Sequence, residues 1–196
     1  VSKSNILAIY SAIASSDDNR CPSMVLALKS TIFDIKEFSK TKTKTINKVK
    51  YTFLMIDRKN VGIKKIKTNK KNVVIPSKVK IGKKTYKVTY LSESIFKDNS
   101  KSIRKLTIPN TVKKVPYRMA DNCPYLEEVV IGKNVEEIEP YAFKGTNLRK
   151  VTFKGSKVKT IGEKAIIKGM FIDKKLVVKA PKSKLKAYKK MIKASK

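Results

Sequence analysis

The chain of 196 residues carries 47 lysines and arginines against 15 aspartates and glutamates, a formal net charge of +32, and contains no histidine. Without imidazole it lacks the commonest general base at neutral pH and the commonest metal ligand, and no G-x-S-x-G, P-loop or G-x-G-x-x-G pattern occurs. The excess charge must attract polyanions in a salt-sensitive way, but only Arg20, Arg58, Arg104, Arg118 and Arg149 are arginines. Specific nucleic-acid recognition, which leans on arginine forks and aromatic platforms, is therefore not expected.

Residues 1–43 stand apart from the rest of the chain. Residues 6–14 (ILAIYSAIA) are apolar, and Val25, Leu28, Ile32 and Ile35 recur at helical spacing. Two short helices joined by SSDDNRCPS would make an N-terminal cap. The competing reading is the remnant of a secretory signal, with Lys3 ahead of an apolar run ending Ala12-Ile13-Ala14; on the helical reading an export signal is instead expected upstream of Val1. No apolar stretch is long enough to span a membrane. The Lys/Thr-rich run SKTKTKTINKVK, residues 39–50, marks a boundary.

Residues 44–102 read as β-hairpins and an interrupted first repeat. YTFLMID and VGIKKI flank DRKN as one hairpin, and IGKKTY places a second turn at Gly82. VVIPSKV from Val73 matches LTIPNTV from Leu106, and LSESIF from Leu91 matches the later VPYRMA and IEPYAF.

Residues 103–180 hold the strongest signal, a unit occurring three times from Ile103, Leu126 and Leu148, at steps of 23 and 22 residues. Such self-similarity denotes a stacked array in which neighbours bury a shared core that no single unit could bury alone. Leu106-x-Ile108, Val129-x-Ile131 and Val151-x-Phe153 alternate like short strands with one face inward. Val112, Val135 and Val158 follow, then Val115, Ile138 and Ile161, then the pairs Met119-Ala120, Ala142-Phe143 and Ala165-Ile166. The last four-residue step suits one turn of helix or a tight bend.

Residues 181–196 read as a capping helix after a last strand at residues 176–178. Pro181 makes the break, Ser183 is the expected N-cap, and Leu185, Tyr188 and Ile192 form an apolar stripe that covers the open end of the array.

The repeat also aligns charge. Arg104-Lys105, Glu127-Glu128 and Arg149-Lys150 fall at equivalent places, as do Lys113-Lys114, Glu136-Glu137 and Lys159-Thr160. With strands ~4.8 Å apart, an acidic rung would lie between basic rungs and specify stacking register. Read as a glycosidase pair, these carboxylates lack the set separation across a cleft that such chemistry needs. No catalytic residue, cofactor or metal site is assigned. Cys123 sits where the coil wants a small buried residue, and a Cys21–Cys123 disulfide is left open.

The pattern L-x-x-L-x-I-P-x-x-V-x-x-I-x-x-x-A-F resembles the BspA-type leucine-rich repeats of bacterial surface proteins, and the opening KNVVIPSKVKIGKKTYKVTYL and closing VKAPKSKLKAYKKMIK resemble the ends of such arrays in Gram-positive gut bacteria. The resemblance spans about residues 45–196. It implies an α+β solenoid, a short right-handed array with one parallel strand per coil, an N-terminal helical or hairpin cap and a C-terminal helix. It also implies a secreted or cell-surface location and a non-enzymatic role in adhesion or recognition of a host or bacterial surface protein or glycan.

In such solenoids the outward strand residues line the inner curve, which makes Arg104, Lys105, Thr107, Glu127, Glu128, Val130, Arg149, Lys150 and Thr152 the ligand-facing candidates. The alternative is a basic element anchored to a polyanion: an anionic cell-wall polymer, an acidic glycan or nucleic acid. A third reading is a pure spacer.

Overall fold

The computed structural model describes residues 40–96, 102–121, 123–167 and 175–195; the two expected N-terminal helices and Cys21 lie outside them. The Lys/Thr-rich run read as a boundary is a strand, β1 (Thr41–Ile46), because threonine's branched Cβ suits a pleated surface and a partner lies beside it. β1 pairs antiparallel with β2 (Val49–Met55), and β2 with β3 (Asn60–Lys67), across a turn in which Asp57 accepts hydrogen bonds from the Lys59 and Asn60 amides at 2.7 Å. β5 (Lys78–Ile81) and β6 (Lys84–Leu91) form the second hairpin; Gly82 supplies its left-handed corner at φ +59°. The five strands order β1-β2-β3-β6-β5, with β3 and β6 parallel.

The repeats build two further sheets. One is wholly parallel: β13 (Val177–Lys179), β11 (Lys150–Phe153), β9 (Glu128–Ile131), β7 (Lys105–Thr107) and β4 (Asn72–Val74), side by side in that order. The other holds the two-residue strands β12 (Thr160–Ile161), β10 (Glu137–Ile138) and β8 (Lys114–Val115), also parallel. The chain is thus a parallel-strand solenoid of about five turns, closed by the helix α1 (Lys182–Ala194). Val73, Leu106, Val129, Val151 and Val178 lie in register as one column across the first sheet. Leu106, Val129 and Val151 are each 0 % exposed, so each side chain contributes about 1.5–3 kcal/mol by leaving water. The other aligned apolar positions join the same core, except Ile161, which is half-buried.

After β6 and after each two-residue strand the chain turns by a tight bend rather than a helical turn. One residue per bend takes the left-handed conformation: Ser94, Arg118, Tyr141 and Lys164, at φ 48°, 47°, 57° and 47°. None is glycine, so each bend carries strain. Hydrogen bonds to the next coil offset it: Ala120 N–H donates to Ala142 O at 2.9 Å, Tyr141 N–H to Glu163 O at 2.9 Å and Phe143 N–H to Ala165 O at 3.1 Å.

Both ends of the array are covered. At the N-terminal end the Tyr51 hydroxyl donates to Val74 O at 3.2 Å, and Ile66 N–H donates to Ile95 O at 2.8 Å. At the other end Tyr188 of α1 is buried against Phe153, ring centroids 4.7 Å apart, and its hydroxyl accepts from Val158 N–H at 3.2 Å. Leu185 is half-buried and Ile192 buried, as the stripe requires. Two details differ from expectation. The last strand starts one residue later, at Val177, and the helix begins at Lys182, so Ser183 lies inside its first turn. Pro181 holds the cap position and no side chain caps the helix, because a proline ring has no acceptor for the first free amides.

Coils approach so closely at one corner that only glycine fits. A Cβ on Gly155 would lie 1.9 Å from the Lys133 carbonyl oxygen, which is backbone and cannot swing aside. Gly155→Ala should therefore lower stability by about 1–3 kcal/mol, read as a shift of the urea midpoint without a change in slope; an unchanged midpoint would show that the coils do not pack this tightly.

Candidate recognition face

The nine candidate residues come together on one sheet. Lys105, Glu128 and Lys150 are consecutive in one column of β7, β9 and β11, and Thr107, Val130 and Thr152 in another. Arg104, Glu127 and Arg149 precede them, aligned because Glu127 N–H donates to Arg104 O and Arg149 N–H to Glu127 O, both at 2.8 Å. The Lys105 and Thr107 columns flank the buried one formed by Leu106, Val129 and Val151, so the period of two in the strand sequence places those six residues on the opposite side from the core, while Arg104, Glu127 and Arg149 lie just ahead of the strands and reach solvent there.

The charge ladder forms as aligned. Glu128 sits between Lys105 and Lys150, 3.3 Å from each ammonium. Arg104 Nη1 reaches Glu127 Oε1 at 2.9 Å; Arg149, on the far side, makes no such pair among the described residues. On the second sheet Glu136 lies 3.7 Å from Lys113 and 3.0 Å from Lys159, and Lys114 bridges Glu137 at 3.5 Å and Glu139 at 2.6 Å. Partial burial pushes the Glu128 carboxyl up, but the Lys150 and Lys105 ammoniums outweigh this and hold it below its ordinary value. Glu139 is also held low: Lys114 and the Tyr117 amide, 2.8 Å away, overcome the cost of its burial. The Lys159 ammonium lowers Glu136. A general acid needs a carboxyl raised toward neutrality, and these are shifted the opposite way.

Beside the charged columns runs a less polar lane. Val74, 65 % exposed, pairs with Thr107, Thr107 with Val130, Val130 with Thr152, and Thr152 with Lys179. At the border of the face an open cleft of about 410 Å³ is lined by Asn69, Lys71, Ser102, Arg104 and Tyr125. Tyr125 is about half exposed, with the Arg104 guanidinium 5.7 Å from its ring centre. Sequence reasoning missed Tyr125. The available signal was its place just before Leu126, where the neighbouring coils carry the polar Ser102 and Asn147.

Cys123 is a free, buried thiol whose pKa is pushed up to about 12 by burial and then by Asp121, which disfavours the reactive thiolate and suits a packing role.

Residues 71–169 match the family described as BspA type leucine rich repeat region (6 copies), and the chain belongs to that family. A comparison with curated proteins gives no match. Among solved structures the chain is similar to a leucine rich cell surface protein of Faecalibacterium prausnitzii, at 22 % identity and TM-score 0.47, covering 72 % of this chain and 43 % of that one. A leucine-rich repeat protein of Bacteroides ovatus matches at 21 % identity and TM-score 0.49, covering 71 % and 42 %. The pneumococcal vaccine antigen PcpA matches at 17 % identity and TM-score 0.47, covering 72 % and 38 %. The chain thus spans less than half the length of the solved structures it matches.

Glu128 is the shared anion of two pairs, so Glu128→Lys should cost more than Glu128→Gln: about 1–2 kcal/mol against about 0.5–1 kcal/mol at pH 7. Because the folded carboxyl is held below its unfolded value, near 4.5, its contribution is present above that pH and fades as pH falls through the lowered folded value. Urea unfolding at pH 7 and pH 3 should show the wild-type advantage over Glu128→Gln shrinking in acid; an advantage independent of pH would contradict the ladder.

Proposed function

We propose that the chain is a non-enzymatic recognition module of a bacterial cell surface, presenting the outer face of β7, β9 and β11 to a protein or glycan. The observation that carries this reading is the lane of Val74, Thr107, Val130 and Thr152 running alongside the column of alternating charge formed by Lys105, Glu128 and Lys150 on one parallel sheet. An uncharged strip beside a charged one lets a surface bury part of a partner along the first and orient it along the second. Backbone hydrogen bonds between coils fix the columns, so little ordering cost is added on binding. The surface location and the adhesive role belong to the same proposal and rest on membership of the repeat family. The absence of enzymatic activity is supported by carboxylates lowered and paired in place of a raised proton donor.

The test uses fluorescently labelled chain on whole bacterial and host cells. Saturable binding, competed by unlabelled chain, should weaken at least tenfold when Thr107, Val130 and Thr152 are all replaced by Gln, a change that fills the lane without adding charge. Binding that is absent, or indifferent to these three substitutions in a variant of unchanged thermal midpoint, would overturn the reading.

A further inference from the structure

The N-terminal sheet handles charge in the opposite way from the repeats. Residues 40–96 contain seventeen lysines and arginines but only two acids, Asp57 and Glu93. Asp57 is occupied in the β2–β3 turn by two amides and the Asn60 side chain. On the outer face of this sheet lysines stand directly opposite lysines: Lys50 faces Lys67 across β2 and β3, and Lys78 faces Lys87 across β5 and β6. The alternation with buried Tyr51, Ile66, Val79 and Val88 directs all four away from the core. Like charges directly opposite destabilise a sheet. In the repeats glutamate separates the basic rungs of β7 and β11 and of Lys113 and Lys159; here, among the described residues, none of the four makes an ion pair. Nor does the segment preceding the sheet bring surplus negative charge: residues 1–39 hold four acids and four bases.

The spacing of the two pairs bears on what would neutralise them. Lys87 pairs through Asn60, which lies seven residues along β3 from Lys67. At ~3.3 Å per residue the cationic pairs stand about 20 Å apart, beyond the reach of any small anion. Between them the face carries Thr43 opposite Thr52 and the half-exposed Tyr90, whose ring rests on Gly62. Hydroxyls and an aromatic ring of this kind suit polyol or sugar units better than a stacked duplex. Lysine's point charge, unlike arginine's fork, neutralises phosphate or carboxylate without demanding one geometry.

We propose that the outer face of the β1-β2-β3-β6-β5 sheet binds a linear, flexible glycan-type polymer carrying one phosphate or carboxylate per repeat, separately from the face of the leucine-rich repeats. The polymer supplies the negative rung that the sequence omits.

The experiment measures binding of the whole chain to poly(glycerol phosphate) and to polygalacturonate between 50 and 300 mM salt. Binding of either polymer, falling linearly in log K against log salt, is the expected result; which one binds tighter identifies the anion. The variant with Lys50, Lys67, Lys78 and Lys87 all changed to Gln should bind at least tenfold more weakly at 50 mM salt, with a slope shallower by about 3, at about 0.7 per flexible-strand phosphate. Its thermal midpoint should equal or exceed the wild type's, since cross-strand repulsion is relieved. A matched variant losing the same charge from exposed positions of the repeats outside the candidate face (Lys133, Lys144, Lys154 and Lys157 to Gln) should bind within threefold of wild type. Equal losses in both variants would show binding set by net charge alone and overturn the proposal. So would no binding to either polymer, or tighter binding per phosphate to duplex DNA.

Discussion

In-register stacking of parallel strands governs the rest of this structure, because a coil of 22 or 23 residues has one apolar side and nowhere of its own to bury it. Each coil finds cover only on its neighbours, and the column of Val73, Leu106, Val129, Val151 and Val178 is where that cover is made. The same stacking satisfies the backbone in both sheets and in the bends, where amides reach carbonyls one coil away. A slip of one residue would turn this column to solvent and the charged columns to the core, so a small set of side chains can hold the register. The cost appears where coils crowd, at the Gly155 corner, and where non-glycine residues hold positive φ.

The ends are the weak points of any such array, and the two caps work differently. At the C-terminal end a single helix lays Tyr188 and Ile192 over the last coil, with the tyrosine hydroxyl reaching the backbone at Val158. At the N-terminal end a curled five-stranded sheet provides the cover. Its inner face, with Tyr51, Phe53, Val61, Ile63 and Ile66, is continuous with the repeat core. Lys44 Nζ on β1 reaches the Lys80 carbonyl on β5 at 2.6 Å, which brings the two outer strands of this sheet together. The cap is therefore large enough to carry a surface of its own, and its lysines are arranged unlike those of the repeats it protects.

Much of this was legible in the sequence because stacking repeats its demands at a fixed period. The strands at Leu106, Val129 and Val151, their shared register, both hairpins, the capping helix and most of the ion pairs follow from which residue types recur at which offset. What could not be read has physical reasons. The bends place Ser94, Arg118, Tyr141 and Lys164 in the left-handed region; four side chains with nothing in common betray no backbone conformation that hydrogen bonds to the next coil impose. The short strands β8, β10 and β12 have only two residues each, too few for a period to show. Threonine and lysine at β1 resemble a linker because alternation of two polar residues carries no hydrophobic signal; pairing with β2 decides it. At the candidate face, the nine residues were found from repeat geometry, whereas Tyr125 and its cleft depend on how Arg104 leans across a coil boundary.

The central claim is that successive coils are immediate neighbours along one spine, and backbone proton contacts measured by nuclear magnetic resonance test it most directly. Interstrand Overhauser contacts should link Leu106 to Val129 and Val129 to Val151, with none between Leu106 and Val151. A folded chain in which Leu106 and Val129 show no such contact, or in which Leu106 contacts Val151 directly, would contradict the account.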